Sequence, residues 1–312
     1  MLDYTLFGES HGPVVGVLLR HVPAGVPIDE LQMERDLLRR RPSGALATAR
    51  QEPDEVQFLS GVFQGRTTGT ALCLVIRNGQ QHSEDYSAMA RLARPSHADF
   101  SAQAKYRGFQ DYRGGGHFSG RLTAPLCVAG GIALQMLEER GIAVGAHIAQ
   151  IENVNDAPFD SVNISAKTLR SVTEKAFPVL DDGAAVPMQA AILAARGEAD
   201  SVGGIVECAA VGIPAGVGDP MFDGLESRIA AILFAVPAVK GVEFGAGFSC
   251  ASMRGSQCND PYIIRDGAVR TSSNNNGGIL GGIANGMPIL VRAAIKPTPS
   301  IGIRQDSVSL SR

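Results

Sequence analysis

Three consecutive glycines, Gly114-Gly115-Gly116, limit most tightly what this 312-residue chain can fold into. Glycine loses more backbone freedom on ordering than any other residue and brings no side chain to bury, so a run of three has no place inside a packed helix or strand. Such a run lets main-chain N–H groups approach a partner closely, most often an anion. The neighbours point the same way. Between residues 94 and 121 stand His97, His117 and the cations Arg94, Lys105, Arg107, Arg113 and Arg121. Arginine grips phosphate or carboxylate through paired hydrogen bonds, and histidine changes charge near neutrality. The segment 77–121 has almost no periodic apolar face, and a loop of that length in a compact domain implies function. The stretch reads as a site for chemistry on a phosphorylated or carboxylated small molecule; the plainer alternative is a solvated Gly/Arg loop.

The rest of the chain gives the frame. A polar Gly8-Glu9-Ser10-His11-Gly12 turn precedes a strand-like Val14–Leu19. Asp29 caps a helix whose apolar side is Leu31, Met33, Leu37 and Leu38, and which ends in Arg39-Arg40-Arg41-Pro42. Cations suit a helix C-terminus; the functional reading turns at least one inward to an anion. Residues 56–76 read as an antiparallel pair around a Gln64–Gly69 turn. Leu122–Arg140 reads as a helix, with Leu126, Ile132, Leu134 and Leu137 on its apolar part and its N-terminus at the end of the glycine stretch. Further on, strands are expected at 142–151, 202–211, 239–244 and 288–295. Helices are expected at 165–177, at 187–199 with Pro187 in the first turn, and at 221–236. Parallel β/α and antiparallel α+β layers both remain open. A second glycine-dense loop, 272–286, precedes the last strand. The Lys296-Pro297-Thr298-Pro299-Ser300 rail that follows is held extended by its prolines. No sharp linker or tandem repeat divides the chain, which reads as one domain.

Composition removes some function classes. The chain is 45% hydrophobic and 19% charged with net charge −3, so it is globular and carries no general field for nucleic acid or a membrane. The Gly/Arg loop also lacks the aromatic interleaving of a base-stacking platform. Five scattered cysteines (73, 127, 208, 250 and 258) have the pattern of buried thiols in a reducing compartment, with no zinc or disulfide spacing. No signal peptide or uninterrupted 18-residue apolar run is visible, so a soluble cytoplasmic protein without a metal is expected.

Eleven blocks in family order make the sequence specific. They include Phe7-Gly8-Glu9-Ser10-His11-Gly12, Arg39-Arg40-Arg41-Pro42, Gln51-Glu52-Pro53-Asp54, Thr67-Thr68-Gly69-Thr70, Arg94-Pro95-Ser96-His97-Ala98-Asp99 and Tyr112-Arg113-Gly114-Gly115-Gly116. They continue with Pro237-Ala238-Val239-Lys240-Gly241, Asn275-Asn276-Gly277-Gly278 through Gly281, and the Lys296–Ser300 rail. From residue 5 to about 308 the chain resembles chorismate synthase.

The resemblance implies an α+β single-domain β–α–β sandwich, with helices between antiparallel sheets, assembled as a homotetramer. It implies a carbon–oxygen lyase that converts 5-enolpyruvylshikimate-3-phosphate to chorismate by 1,4-elimination of phosphate. The cofactor would be reduced FMN, with NADPH as a candidate reductant. By position, His11 matches the acid near the leaving phosphate, and His97 the histidine that protonates or steadies the flavin. Ser10, Arg40, Arg94, Ser119 and Arg121 match substrate-binding positions. His117, Phe118, Ser119, Ala238, Gly281, Lys296, Thr298, Pro299 and Ser300 match the flavin-binding positions. His21, His82 and His147 match no block and are assigned to surface or packing. The family pattern also continues past Arg312 into a segment whose arginine and aspartate help hold substrate and flavin. The alternative reading is a catalytically impaired homologue that holds FMN or an acidic ligand.

Overall fold

A computed structural model describes residues 2–41, 53–79 and 91–310. Its contacts divide the chain into two compact units, Met1–Met136 with Ile303–Arg312, and Leu137–Gly302.

The first unit contains β1 (Asp3–Gly8), β2 (Val14–Arg20), α1 (Glu30–Arg40), β3 (Val56–Ser60), the short hairpin β4 (Val62–Phe63) and β5 (Arg66–Thr67), β6 (Leu72–Arg77), α2 (Asp99–Tyr106) and most of α3 (Thr123–Glu138). The sheet order is β1-β2-β6-β3, antiparallel throughout. Val15, Val17 and Leu19 of β2 stand opposite Ile76, Leu74 and Leu72 of β6, so the two-residue period of a strand puts all six on one face. That face packs on Met33 and Leu37 of α1 and on Ala124, Val128 and Ile132 of α3. Asp29 caps α1 as expected, its side chain accepting from the Gln32 N–H. Leu31 and Leu38, expected inward, are instead exposed, because the i, i+4 pair Met33/Leu37 alone fills the seam.

The buried face of α3 is made of smaller residues than the sequence suggests; Leu126, Leu134 and Leu137 lie half-buried. Close approach of α1 explains this: a Cβ at Gly131 would lie 3.2 Å from Asp36 Oδ2. With the preceding turn, this helix (120–138) is long and apolar enough to cross a membrane, but its buried face is part of this core. Inside the stretch read as a loop, residues 99–106 form α2. It escapes a periodicity search because Ala102 is its one buried residue while Phe100 and Tyr106 are exposed.

The second unit contains β7 (Ala143–Ile151), β8 (Val154–Asn155), α4 (Ala166–Thr173), α5 (Asp182–Gly197), β9 (Gly204–Val211), α6 (Leu225–Ala235), β10 (Val239–Phe244), α7 (Gly255–Cys258), β11 (Tyr262–Arg265), β12 (Ala268–Thr271), β13 (Ile279–Leu280), β14 (Ile283–Ala284) and β15 (Ile289–Ile295). Its main sheet runs β10-β15-β9-β7-β8, again antiparallel, which decides the choice left open by the sequence. Leu169 and Val172 of α4 and Ala184 and Met188 of α5 are buried. Pro187 lies in the second turn of α5, not the first, because the Asp181 side chain caps the helix at Gly183 and starts it five residues earlier than expected. The 272–286 loop contains the hairpin β13–β14, turned by Gly281 and Gly282 at φ +62° and +86°, the backbone signs a type I′ turn requires. Both units are therefore α+β with antiparallel sheets.

Candidate functional site

The first unit gathers two of the expected cations on one buried carboxylate. Asp54 has a side-chain exposure of 0%, and its Oδ2 accepts from Arg40 Nη2 at 2.7 Å and from Arg41 Nε at 3.4 Å. Its Oδ1 accepts from Arg121 Nη1. Arg121, with 4% of its side chain exposed, also donates through Nε to Asn78 Oδ1 at 2.8 Å and through Nη2 to the Arg77 carbonyl at 3.2 Å. Burial pushes the Asp54 carboxyl up, but hydrogen bonds and charge from Arg121 and Arg40 outweigh it and hold the group below its ordinary 3.8. Three guanidiniums thus share one ionised carboxylate, and Arg40 Nε is buried with no partner among the described residues. An anion is the group that would complete the set.

Asn78 links this cluster to the first histidine. Its side-chain amide donates to the carbonyls of Glu9 and Gly12, at 3.1 and 2.8 Å, and so fixes the turn carrying Ser10 and His11. That turn is buried, with Ser10 at 0% and His11 at 5% exposure. The triple glycine closes over it. Gly114, Gly115 and Gly116 adopt φ of +57°, +85° and +53°, left-handed backbone that other residues rarely accept. The Ser10 N–H donates to the Gly116 carbonyl at 3.0 Å. A Cβ at Gly114 would lie 2.4 Å from His11 Cδ2 and 2.6 Å from its Nε2. The glycines let this backbone lie directly against the imidazole.

The remaining first-unit residues sit close by in sequence. The ring of His117 pairs through Nδ1 with the Gly8 carbonyl at 2.9 Å, and Phe118 is 43% exposed with its ring 6.3 Å from that of Tyr106. Ser119 Oγ accepts from the Arg121 N–H at 3.3 Å, fixing the turn that delivers Arg121. Arg94 makes a two-point ion pair with Asp99, both contacts 2.8 Å, and His97 Nδ1 lies 3.0 Å from the Pro95 carbonyl. Burial raises the Asp99 carboxyl, but the hydrogen bonds and charge of Arg94 lower it further, so it stays ionised. Arg94 and His97 therefore form one rigid turn at the start of α2.

The second unit holds the other expected flavin residues. The Lys296 N–H donates to the Ala238 carbonyl at 2.9 Å, joining the ends of β15 and β10. Ala238 sits at φ +73°. The Thr298 carbonyl accepts from Ser201 Oγ at 2.7 Å; Pro299 is half-buried and Ser300 exposed on the same rail. Gly281 stands at the tip of the β13–β14 hairpin, with open space where a Cβ would be. A half-buried lysine followed by exposed hydroxyls is a donor set that fits a phosphate ester and ring carbonyls.

Sequence reading named neither Asp54 nor Asn78 as a site residue. The signals were present but weak: Asp54 ends the Glu-Pro-Asp block and Asn78 opens an Asn-Gly pair at the end of β6. His147, assigned to packing, is 1% exposed and lies between two acids, with Nδ1 2.8 Å from Asp156 and Nε2 2.9 Å from Glu207. His21 is exposed, and His82 lies outside the described residues.

Comparison with known proteins identifies the family. The family profile described as chorismate synthase matches residues 2–312. The chorismate synthase of Thermococcus kodakarensis is 47% identical over 100% of this chain and 86% of its own length. That of Lancefieldella parvula is 44% identical over 98% of this chain and 83% of its own. A solved structure titled as a crystal structure of chorismate synthase superimposes with a TM-score of 0.78 at 30% identity, covering 96% of this chain and 86% of that one. The chain belongs to the chorismate synthase family, flavin-requiring carbon–oxygen lyases.

Proposed function

We propose that this chain converts 5-enolpyruvylshikimate-3-phosphate to chorismate by 1,4-elimination of phosphate, with reduced FMN that is not consumed overall and with NADPH as a candidate reductant. The observation that carries this reading is the charge surplus around Asp54, three guanidiniums on one buried carboxylate, which suits a departing phosphate dianion. Arg40 and Arg121 hold the phosphate and take up the charge that grows on it. His11, fixed by the Gly114 backbone and the Asn78-bound turn, delivers a proton to the leaving oxygen. Arg94 and Ser119 hold a substrate carboxylate and hydroxyl, and Ser10 donates to the same anion. His97, aligned by the Arg94–Asp99 pair, is assigned to protonating or steadying the reduced flavin. Lys296, Thr298 and Ser300 are the donors that would hold FMN, whose chemistry when bound is reversible electron donation to the ring that loses phosphate.

Assembly as a homotetramer is part of the proposal. Helix α6 buries no residue within the chain, and Phe234 is 53% exposed, as are Tyr262 at 66% and Ile264 at 72% on β11; further copies of the chain would cover them. A cytoplasmic location agrees with five free cysteines, although four are half-buried and Cys250 is exposed where buried thiols were expected; desolvation pushes the Cys208 thiol up to about 11. The test is an anaerobic assay with chemically reduced FMN and the enolpyruvyl substrate, following phosphate and chorismate together. Stoichiometric release of both is the expected result. FMN binding without phosphate release would instead assign the chain to non-catalytic ligand holding.

A further inference from the structure

We propose that Asp54 is a positioning residue for phosphate recognition: one buried carboxylate sets the spacing of Arg40 and Arg121 without itself touching substrate. This rests on the functional reading above. The two arginines come from distant segments, the C-terminus of α1 and the turn before α3, and nothing in either segment alone fixes their separation. Asp54 does so by accepting Arg40 on one oxygen and Arg121 on the other. A carboxylate is planar and its oxygens are a fixed distance apart, so two guanidiniums seated on them cannot drift independently. Their mutual repulsion is screened by the charge between them, which lets both cations stay beside an incoming anion.

The fold is organised to hold this carboxylate. Its side chain is fully buried, and its backbone sits at φ +53°, a left-handed conformation that Asp and Asn tolerate better than most residues. The Arg121 fork is held at two further points, Asn78 and the Arg77 carbonyl, and Arg41 reaches the outer edge of the same oxygen that takes Arg40. Enclosed by its arginines, Asp54 has no open face to offer a substrate. Its effect therefore passes through them.

Asp54→Asn tests this while keeping the backbone conformation and the side-chain shape. It replaces one acceptor oxygen by an amide that points hydrogens at a guanidinium. Steady-state phosphate release should show KM for the enolpyruvyl substrate raised at least tenfold and kcat/KM lowered about a hundredfold. The FMN dissociation constant, read by flavin fluorescence, should stay within twofold of wild type. In the cycle with Arg40→Ala, the double variant should lose clearly less than the sum of the two single losses, since the carboxylate acts in part through that arginine and in part through Arg121. Additive losses would overturn the proposal, as would unchanged KM in a folded Asp54→Asn protein. If Asp54→Asn does not fold by circular dichroism, Asp54→Glu takes its place: it keeps the charge, moves it by one methylene, and should raise KM alone. Unchanged KM there would equally overturn the assignment. A wild-type chain that releases no phosphate would overturn the functional reading and this proposal together, whereas wild-type turnover matched by Asp54→Asn overturns the proposal only.

Discussion

The two units each bury ionised carboxylates, and they surround them in opposite ways. In the first, one aspartate faces Arg40, Arg41 and Arg121, and a guanidinium nitrogen is left without a partner among the described residues. In the second, Asp156 and Glu207 enclose the single imidazole of His147, and backbone N–H groups of Leu180, Asp181 and Phe159 occupy the oxygens further. Burial pushes both acids up, but these hydrogen bonds prevail and hold Asp156 and Glu207 below their ordinary values of 3.8 and 4.5. Every polar atom of the ring is matched, and its face packs edge-on against Phe159 at 4.6 Å. One cluster is saturated from within the chain and joins β7 to β9. The other is left with surplus positive charge, which is costly in a buried place unless a ligand balances it. Surplus, more than burial or ion pairing, separates a site from a strut.

That contrast is most open to challenge by removing one member from each cluster. Arg121→Ala and His147→Phe should each cost about 3–5 kcal/mol, because each leaves a buried carboxylate oxygen without its side-chain donor, Oδ1 of Asp54 in one and an oxygen of Asp156 in the other. Thermal melts would show similar losses of Tm. Phosphate release per folded molecule should then separate them, abolished in Arg121→Ala and unchanged in His147→Phe. Lost turnover in a folded His147→Phe protein would remove the distinction.

Gly114→Ala should have a smaller effect on stability, about 1–2 kcal/mol for a left-handed alanine. Its Cβ must nevertheless displace the His11 ring, and kcat should fall about a hundredfold, the scale of a misplaced catalytic group. Gly267→Ala, also at positive φ but facing open space in the β11–β12 turn, should show the strain without that fall in kcat.

Acid affects both units alike and gives the mildest test. Asp54, Asp156 and Glu207 all have depressed values when folded, so their contribution is complete above the unfolded values of 3.8 to 4.5. It is lost as pH falls below that range and through the folded values. Melts from pH 6 to pH 2.5 should show Tm falling below about pH 4, with a shallower fall in Asp54→Asn. A Tm independent of pH over that range would contradict the assignment of these groups as ionised partners.

Much of this was legible in the sequence, for physical reasons that can be named. The strand-like run at 14–19, the antiparallel pairing within 56–76 and the Asp29 cap are local signals, and they appear where expected. The triple glycine implied a main chain free to approach a partner closely, and the structure lays it against the His11 ring. Helix α2 was hidden because it buries almost nothing, and the start of α5 was misplaced because Pro187 drew attention from the cap at Asp181. Asp54 was hidden for a different reason. Its importance comes from three arginines brought together by the tertiary fold, and no periodicity or spacing encodes that. Sequence resemblance found the arginines, but only coordinates reveal what they hold.

The most direct test is anaerobic phosphate release by wild type and His11→Ala, measured with saturating reduced FMN and enolpyruvyl substrate. The account predicts that His11→Ala keeps its far-ultraviolet circular dichroism and its flavin affinity while kcat falls a hundredfold or more, the range of a lost general acid. Equal kcat in the two proteins would show that the buried imidazole beside the triple glycine does not serve the departing phosphate, and would contradict the account.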